Sequence, residues 1–318
     1  MFGGRGTHRG CAVSAPPAPR RCVRALRPAL FASLLALAGC EPLVGGGGGG
    51  GSVACPGGPD PLFSDQWHLA NTGQTALNGS VAATPGVDLG VEGAWSAGYR
   101  GSGVAIAVLD DAVDIGHEDL RANVLSGRSV DYTDGDDDPS PNEGSGFFHG
   151  TAVAGITAAR DDNGCGGRGV APRAGVAGFN ILSSQAGADT LDALERDVAV
   201  SNNSWGPSDE TGQLIALGNQ AAWEASITAG TEGTATDPAN RNGLGTVYVW
   251  AAGNGYGCVG DDCAPVDDSN YDGAANYWRV LAVSAVNAEG RPAIYSERGA
   301  NVLVAGPGGA SAPTATWR

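Results

Sequence analysis

Short apolar runs that stop on polar residues or glycine alternate along this chain with stretches of helical periodicity. The first clear run is Gly103-Val-Ala-Ile-Ala-Val-Leu109, which ends at Asp110-Asp111. A continuous β-branched run of that length predicts a parallel strand buried on both faces. A helix is predicted over His149 to Arg160, a strand over Gly175 to Leu182, a helix over Asp189 to Asp197, and a strand over Val198 to Asn203. A helix over Gln213 to Thr228 and strands over Thr246 to Ala252 and Arg279 to Val286 complete the series. Strands separated by helical segments predict an α/β domain with a largely parallel sheet. Working residues of such sheets collect beyond the carboxyl ends of the strands. Asp110, Asn203 to Gly206, and Gly253-Asn254 all fall at predicted ends.

Composition narrows the partners. The 318 residues are 42% hydrophobic, enough for a large core. All 18 basic side chains are arginine, and six of them precede residue 41. From there on, 12 arginines face 34 acidic residues. That excess excludes nucleic acid and anionic headgroups as partners of the folded part, and suits metal cations or basic peptides.

The first 40 residues carry no acid. Arg20, Arg21, Arg24 and Arg27 precede the apolar run Pro28 to Ala38. This run is too short to span a bilayer but has the length of a signal-peptide core. It ends in Leu37-Ala38-Gly39-Cys40, which resembles a bacterial lipobox, the resemblance implying acylation of Cys40 and anchorage at the outer membrane or cell surface; an ordinary secretory signal is the alternative. Residues 41–59, with seven consecutive glycines, read as a flexible linker, and residues 60–318 as the globular domain. Export to an oxidising compartment leaves Cys55, Cys165, Cys258 and Cys263 to pair. The last two are five residues apart across a Gly/Asp loop and favour a local bridge; Cys55 with Cys165 follows by elimination.

Three positions suggest acid–base chemistry. His149, at a predicted helix start, presents an imidazole from a fixed backbone, with Gly150 allowing close approach. A carboxylate must orient such a base, and Asp110 closes a buried strand where it can do so. Asn254, in Ala252-Gly-Asn-Gly255, offers an amide donor to a developing oxyanion.

Asp110-Asp111, His149-Gly-Thr-Ala-Val-Ala-Gly155, Gly169-Val-Ala-Pro172, Asn203-Ser-Trp-Gly-Pro207 and Ala252 to Gly255, in that order, resemble the subtilisin-like serine endopeptidases. Asp60 to Trp67, His117 to Leu120, Ser204 to Asp209 and Tyr295 to Glu297 are similar to the kexin/furin-like branch, and the resemblance runs from about Asp60 to Pro307. It implies a three-layer fold with a largely parallel sheet flanked by helices, incomplete at the C-terminus. It implies Asp110 as orienting acid, His149 as general base and Asn254 in the oxyanion hole. Ser204, Trp205 and Gly206 would pair with the substrate backbone as an added strand. Ala112 stands where the family usually has glycine; were a positive φ needed there, it would be strained.

The acidic run Asp131 to Asp138 packs five carboxylates into eight residues, a pattern suited to Ca²⁺, which takes many oxygen ligands. By resemblance Asp131, Asp136 and Asp138 would bind one Ca²⁺. Asp60, Asp119 and Asn163, with turn carbonyls around Cys165, would bind a second, and a Cys55–Cys165 bridge would lock that site. Asp209, Asp267 and Glu297 would bind a third. Asp209 and Asp272 match acids that select Arg or Lys before the cut, and Asp111 a position near the next subsite. The usual acidic companion of Asp111 corresponds to Gly146, so strict dibasic selection is not expected. The expected substrates are polypeptides with basic residues.

The family's Gly-Thr-Ser-x-x-x-Pro is not found. Ser311, in Gly-Ala-Ser-Ala-Pro, has its proline two residues on and is not assigned as nucleophile. The expectation is a chain truncated before its nucleophile and inactive as it stands. A catalytically dead, calcium-binding surface module on the same scaffold is the alternative.

Overall fold

The computed structural model describes residues 54–76, 81–142, 144–184, 187–206, 218–235, 240–256 and 267–309. The signal segment with Cys40, Asp209, Cys258, Cys263 and Ser311 lie outside the described residues.

A two-stranded antiparallel ribbon, β1 (Thr75–Ala76) with β2 (Val81–Ala82), and a short helix α1 (Val91–Ser96) precede the main sheet. The sheet is built from β3 (Ala105–Leu109), β4 (Gly175–Phe179), β5 (Val200–Asn203), β6 (Val247–Ala251), β7 (Val280–Val286) and β8 (Val302–Pro307). Its order is β4-β3-β5-β6-β7-β8 and every pairing is parallel. Between the strands run α2 (His149–Ala158), α3 (Ile181–Ser184), α4 (Gly187–Leu194) and α5 (Gln220–Glu232).

Alternation along β3 sorts the layers. Ile106 and Val108 point into a cluster with Val113, Leu120, Ala154, Ala158 and Val176. Ala107 and Leu109 point the other way, among Phe179, Leu194, Trp223, Ile227, Tyr248 and Trp250. Helix α2 therefore covers one face of the sheet, and α4 and α5 the other. The buried positions of α2 are Gly150, Ala154 and Ala158, one stripe of small residues at four-residue spacing. Small side chains let the helix backbone sit close to the sheet. On the opposite face bulk does the filling: Trp250 and Tyr248 are among the largest fully buried side chains.

The predicted strand ending at Leu182 stops at Phe179. Asn180 terminates it, turning its buried amide to the Tyr132 N–H (2.7 Å) and to Asp131 (2.7 Å), and α3 begins at Ile181. The helix predicted from Gln213 is described from Gln220. Asn219 takes a left-handed φ of 62° before it, and Gly233, at φ 69°, closes it with N–H donation to Gly230 O. Pattern reading missed β1, β2 and α1, which are short, and also β8.

Candidate active site

The carboxyl ends of three neighbouring strands carry the candidate residues. Asp110 follows β3, Ser204 to Gly206 follow β5, and Gly253-Asn254 follow β6. The Asp110 side chain is fully buried, and its Oδ1 lies 2.8 Å from His149 Nδ1. The same oxygen accepts from the Asp111 N–H at 2.8 Å, whereas the buried Oδ2 has no partner among the described residues. The imidazole keeps 57% of its surface exposed. A proton on Nδ1 is thus fixed by the carboxylate, while the rest of the ring faces outward. The hydrogen bond from Asp110 raises the His149 pKa above its ordinary value against some loss from burial. Burial pushes the Asp110 carboxyl upward, opposed by the same hydrogen bond.

The approach of α2 to β3 depends on Gly150. A β-carbon there would fall 2.4 Å from Ala112 O and 2.6 Å from Asp110 Cβ, distances that only a shift of backbone could relieve. Thr151 Oγ1 accepts from the Asp114 N–H (2.9 Å), so each residue of His-Gly-Thr has a separate use. Ala112 is not among the described residues of positive φ, and so carries no left-handed strain.

Asp111, expected near a substrate subsite, has a structural use that the sequence did not suggest. Its Oδ2 accepts from the His149 N–H (3.2 Å) and its Oδ1 from the Gly150 N–H (2.9 Å). It thereby satisfies two of the unpaired donors at the N-terminus of α2. Replacing Asp111 by Ala is expected to lower unfolding stability by about 1–2 kcal/mol, with Asn recovering part of the loss. An unchanged melting temperature in the Ala variant would show this cap to be idle.

The segment Ser204-Trp205-Gly206 is tied to the core. Trp250 Nε1 donates to Trp205 O (2.7 Å), and the two indoles meet edge-on at 4.5 Å. Ser204 Oγ accepts from Asn202 Nδ2 at 3.0 Å. Behind the segment, a β-carbon on Gly206 would come within 3.2 Å of Asp272 Oδ2. Asp272 is buried, and burial raises its pKa despite N–H donation from Ala274 (2.6 Å) and Ala275 (3.3 Å) to its Oδ1. Asn254 is exposed, and Gly253 before it has φ 110°.

The sequence pattern of the Subtilase family matches residues 101–317. The chain belongs to the subtilase family. This subtilase is 35% identical over 252 residues to human neuroendocrine convertase 2, covering 77% of the chain and 36% of the convertase. The Aeromonas sobria serine protease is similar in structure, with TM-score 0.67 and 34% identity over 85% of this chain and 48% of that one; the same protease solved with its chaperone ORF2 gives 0.68 over 79% and 43%. A Pseudoalteromonas arctica protease follows at TM-score 0.56 and 28% identity. The subtilase chain spans about a third of the length of the curated convertases it matches, and under half of the Aeromonas chains.

The acidic positions of this subtilase differ in what they can hold. Asp131, Asp134 and Asp136 bring carboxylate oxygens within 4.8 Å of one another, a geometry that suits a divalent cation. Asp134 stands here where the sequence favoured Asp138, whose exposed carboxylate instead accepts from the Ser140 N–H. Burial alone would raise Asp131, but hydrogen bonds from Asn180 and Thr133 outweigh it and leave its carboxyl below the usual range. Asp267 and Glu297 are buried together under the Asn254 loop: a β-carbon on Gly255 would meet both, and Glu297 Oε1 accepts from the Gly255 N–H (2.9 Å). Asp60, Asp119 and Asn163 also converge, and a disulfide joins Cys55 to Cys165 beside them. Their oxygens face N–H donors, as Asp131 Oδ1 also does toward Thr133 and Asn180, but here the Arg168 guanidinium lies 2.7 Å from Asp60 Oδ2 as well.

Proposed function

We propose that residues 60–318 belong to the catalytic domain of a calcium-dependent serine endopeptidase that cuts polypeptides after Arg or Lys. The observation that carries this reading is the 2.8 Å contact between His149 Nδ1 and the buried Asp110 carboxylate, with the imidazole open to the cleft. Held in this tautomer, His149 takes a proton at Nε2 from a serine hydroxyl as the hydroxyl oxygen attacks the scissile carbonyl. It then returns that proton to the leaving amine. Asp110 stabilises the imidazolium formed in between and stays ionised. The Asn254 amide donates to the carbonyl oxygen as it gains charge, an interaction worth about 3–4 kcal/mol. Ser204 to Gly206 pair with the substrate backbone, as supported by their fixed position after β5. Asp272, behind Gly206, and Asp209 receive a guanidinium or ammonium group. No serine among the described residues is assigned as the nucleophile.

Asp131, Asp134 and Asp136 would hold one calcium ion, which would brace the loop before α2; Asp267 and Glu297, with Asp209, would hold another beneath the Asn254 loop. With the full gene product, hydrolysis of an Arg-ending fluorogenic peptide is expected to exceed that of its Leu counterpart at least about tenfold, since a charge-assisted pair contributes roughly 1.5–3 kcal/mol. Hydrolysis should stop with a fluorophosphonate and weaken with a calcium chelator. Equal rates on Arg and Leu would remove the basic preference. A complete reading frame without the Gly-Thr-Ser serine would favour a non-catalytic calcium-binding module.

The envelope location rests on Leu37 to Cys40 and the glycine-rich linker. Replacing Cys40 by Ala should abolish labelling with radioactive palmitate and release the protein from membranes; retention of both would refute the lipid anchor. Among the described residues no helix is long and apolar enough to cross a membrane.

A further inference from the structure

The pocket around Asp60 and Asp119 already contains a cation of its own. Arg168 Nη2 lies 2.7 Å from Asp60 Oδ2 and 3.1 Å from Asp162 Oδ1. The Asp60 side chain has no exposed surface, and that of Arg168 keeps only 11%. The guanidinium carbon sits 4.4 Å from the centroid of the Phe63 ring and 5.8 Å from that of Trp95. A planar, permanently charged guanidinium suits a site bounded by a carboxylate on one side and aromatic faces on the other.

The remaining donors oppose a metal. Asp60 accepts from the Asp162 N–H at Oδ2 and from the Asn163 N–H at Oδ1, both at 3.1 Å. Asp119 accepts from Asn163 Nδ2 (2.7 Å) and from the Gly167 N–H (3.1 Å). Asn163 thus presents its amide hydrogens to the pocket, and its carbonyl Oδ1 is taken by the Cys165 N–H at 2.7 Å. The loop carbonyls are also engaged: Asn163 O accepts from Gly57 N and Gly166 O from Leu62 N. Calcium takes six to eight oxygen ligands, waters among them. Here N–H groups point at the oxygens that would have to supply them.

We propose that Arg168 is the resident cation of the Asp60/Asp119 pocket, so that this pocket binds no metal ion. The guanidinium neutralises the buried Asp60 and links the segment before α1 to the loop after α2. The Cys55–Cys165 disulfide and the Gly57–Asn163 backbone pairing bind the same two segments covalently and through hydrogen bonds. Asp60 thereby has its counter-ion within the fold, and Asp119 has hydrogen bonds from Asn163 and Gly167. This inference does not depend on peptidase activity.

Terbium, a calcium surrogate with strong anomalous scattering, gives a direct test on crystals of the unmodified full chain. A peak is expected among Asp131, Asp134 and Asp136, and none within coordinating distance of Asp60. A terbium peak bonded to Asp60 and Asp119, with Arg168 swung away, would overturn the proposal. Arg168→Ala supplies a second arm. If it folds, it should bind one more calcium per chain than the parent and melt in a newly calcium-dependent way. A parent that already carries an ion, lost on Asp60→Asn and unaffected by Arg168→Ala, would overturn it as well. Should the alanine variant fail to fold, the terbium arm decides alone.

Discussion

Under the proposed endopeptidase activity, replacement of Asp110 by Asn is expected to lower kcat/KM about 10⁴-fold, close to 5.5 kcal/mol of transition-state stabilisation. Two separate losses combine. The carboxamide can offer its N–H₂ to Nδ1 and so favour the wrong tautomer. The imidazolium formed as the serine gives up its proton also loses its counter-charge. Both follow from the single contact at 2.8 Å and from the complete burial of Asp110, which leaves no water to substitute for the carboxylate. The pH profile separates the two effects. Asp110 raises the His149 pKa, and only the neutral imidazole acts as base. Activity of the unmodified enzyme should therefore rise with pH through a midpoint above about 6.5. In the Asn variant that acid limb should move down. The same raised pKa means that the Asp110–His149 pair stabilises the fold fully below the ordinary histidine range, and that this contribution is lost as pH rises through the folded value. An Asn variant with an unshifted limb and only a few-fold loss would show that Asp110 does not orient the base.

Removal of the Cys55–Cys165 disulfide is the second large effect. Its partners are 110 residues apart, and closing a loop of that length removes enough unfolded-chain freedom to be worth about 3–5 kcal/mol. For a domain of this size the double serine variant should melt on the order of 10 °C lower. A reductant should lower the melting temperature of the parent by far more than that of the variant. A shift of under a degree or two would mean that Gly57–Asn163 pairing and the Arg168–Asp60 pair already define the segment's position without the covalent link.

Much of the architecture was legible because apolar runs report burial directly. The run at 103–109 is flat and β-branched because both faces of β3 are covered, and its end locates Asp110. The pairing of Asp110 with His149 was legible from residue type and position alone. What escaped reading depends on three-dimensional neighbours. Leu182 continues an apolar run, yet Asn180 finds partners in the Asp131 loop that end the strand, and no local signal encodes them. Asp111 looks like a free carboxylate beside a catalytic one; its use as a cap for α2 appears only when residue 150 is brought beside residue 112. Among the carboxylates of the 131–138 loop, the turn brings oxygens of Asp131, Asp134 and Asp136 within 4.8 Å of one another, and nothing in the local sequence singles out Asp134. Arg168 carries no motif at all, and the ring of Phe63 that receives it lies over a hundred residues earlier.

The strand order β4-β3-β5-β6 also bears on when the candidate site comes together. Residues 110, 149, 204 and 254 reach one edge only after several long-range parallel pairings close, and topologies rich in distant contacts assemble slowly. An incompletely folded chain has the chemical groups but not the cleft. The delay separates synthesis of these groups from formation of the cleft, so a chain that is still folding could not yet perform the proposed hydrolysis.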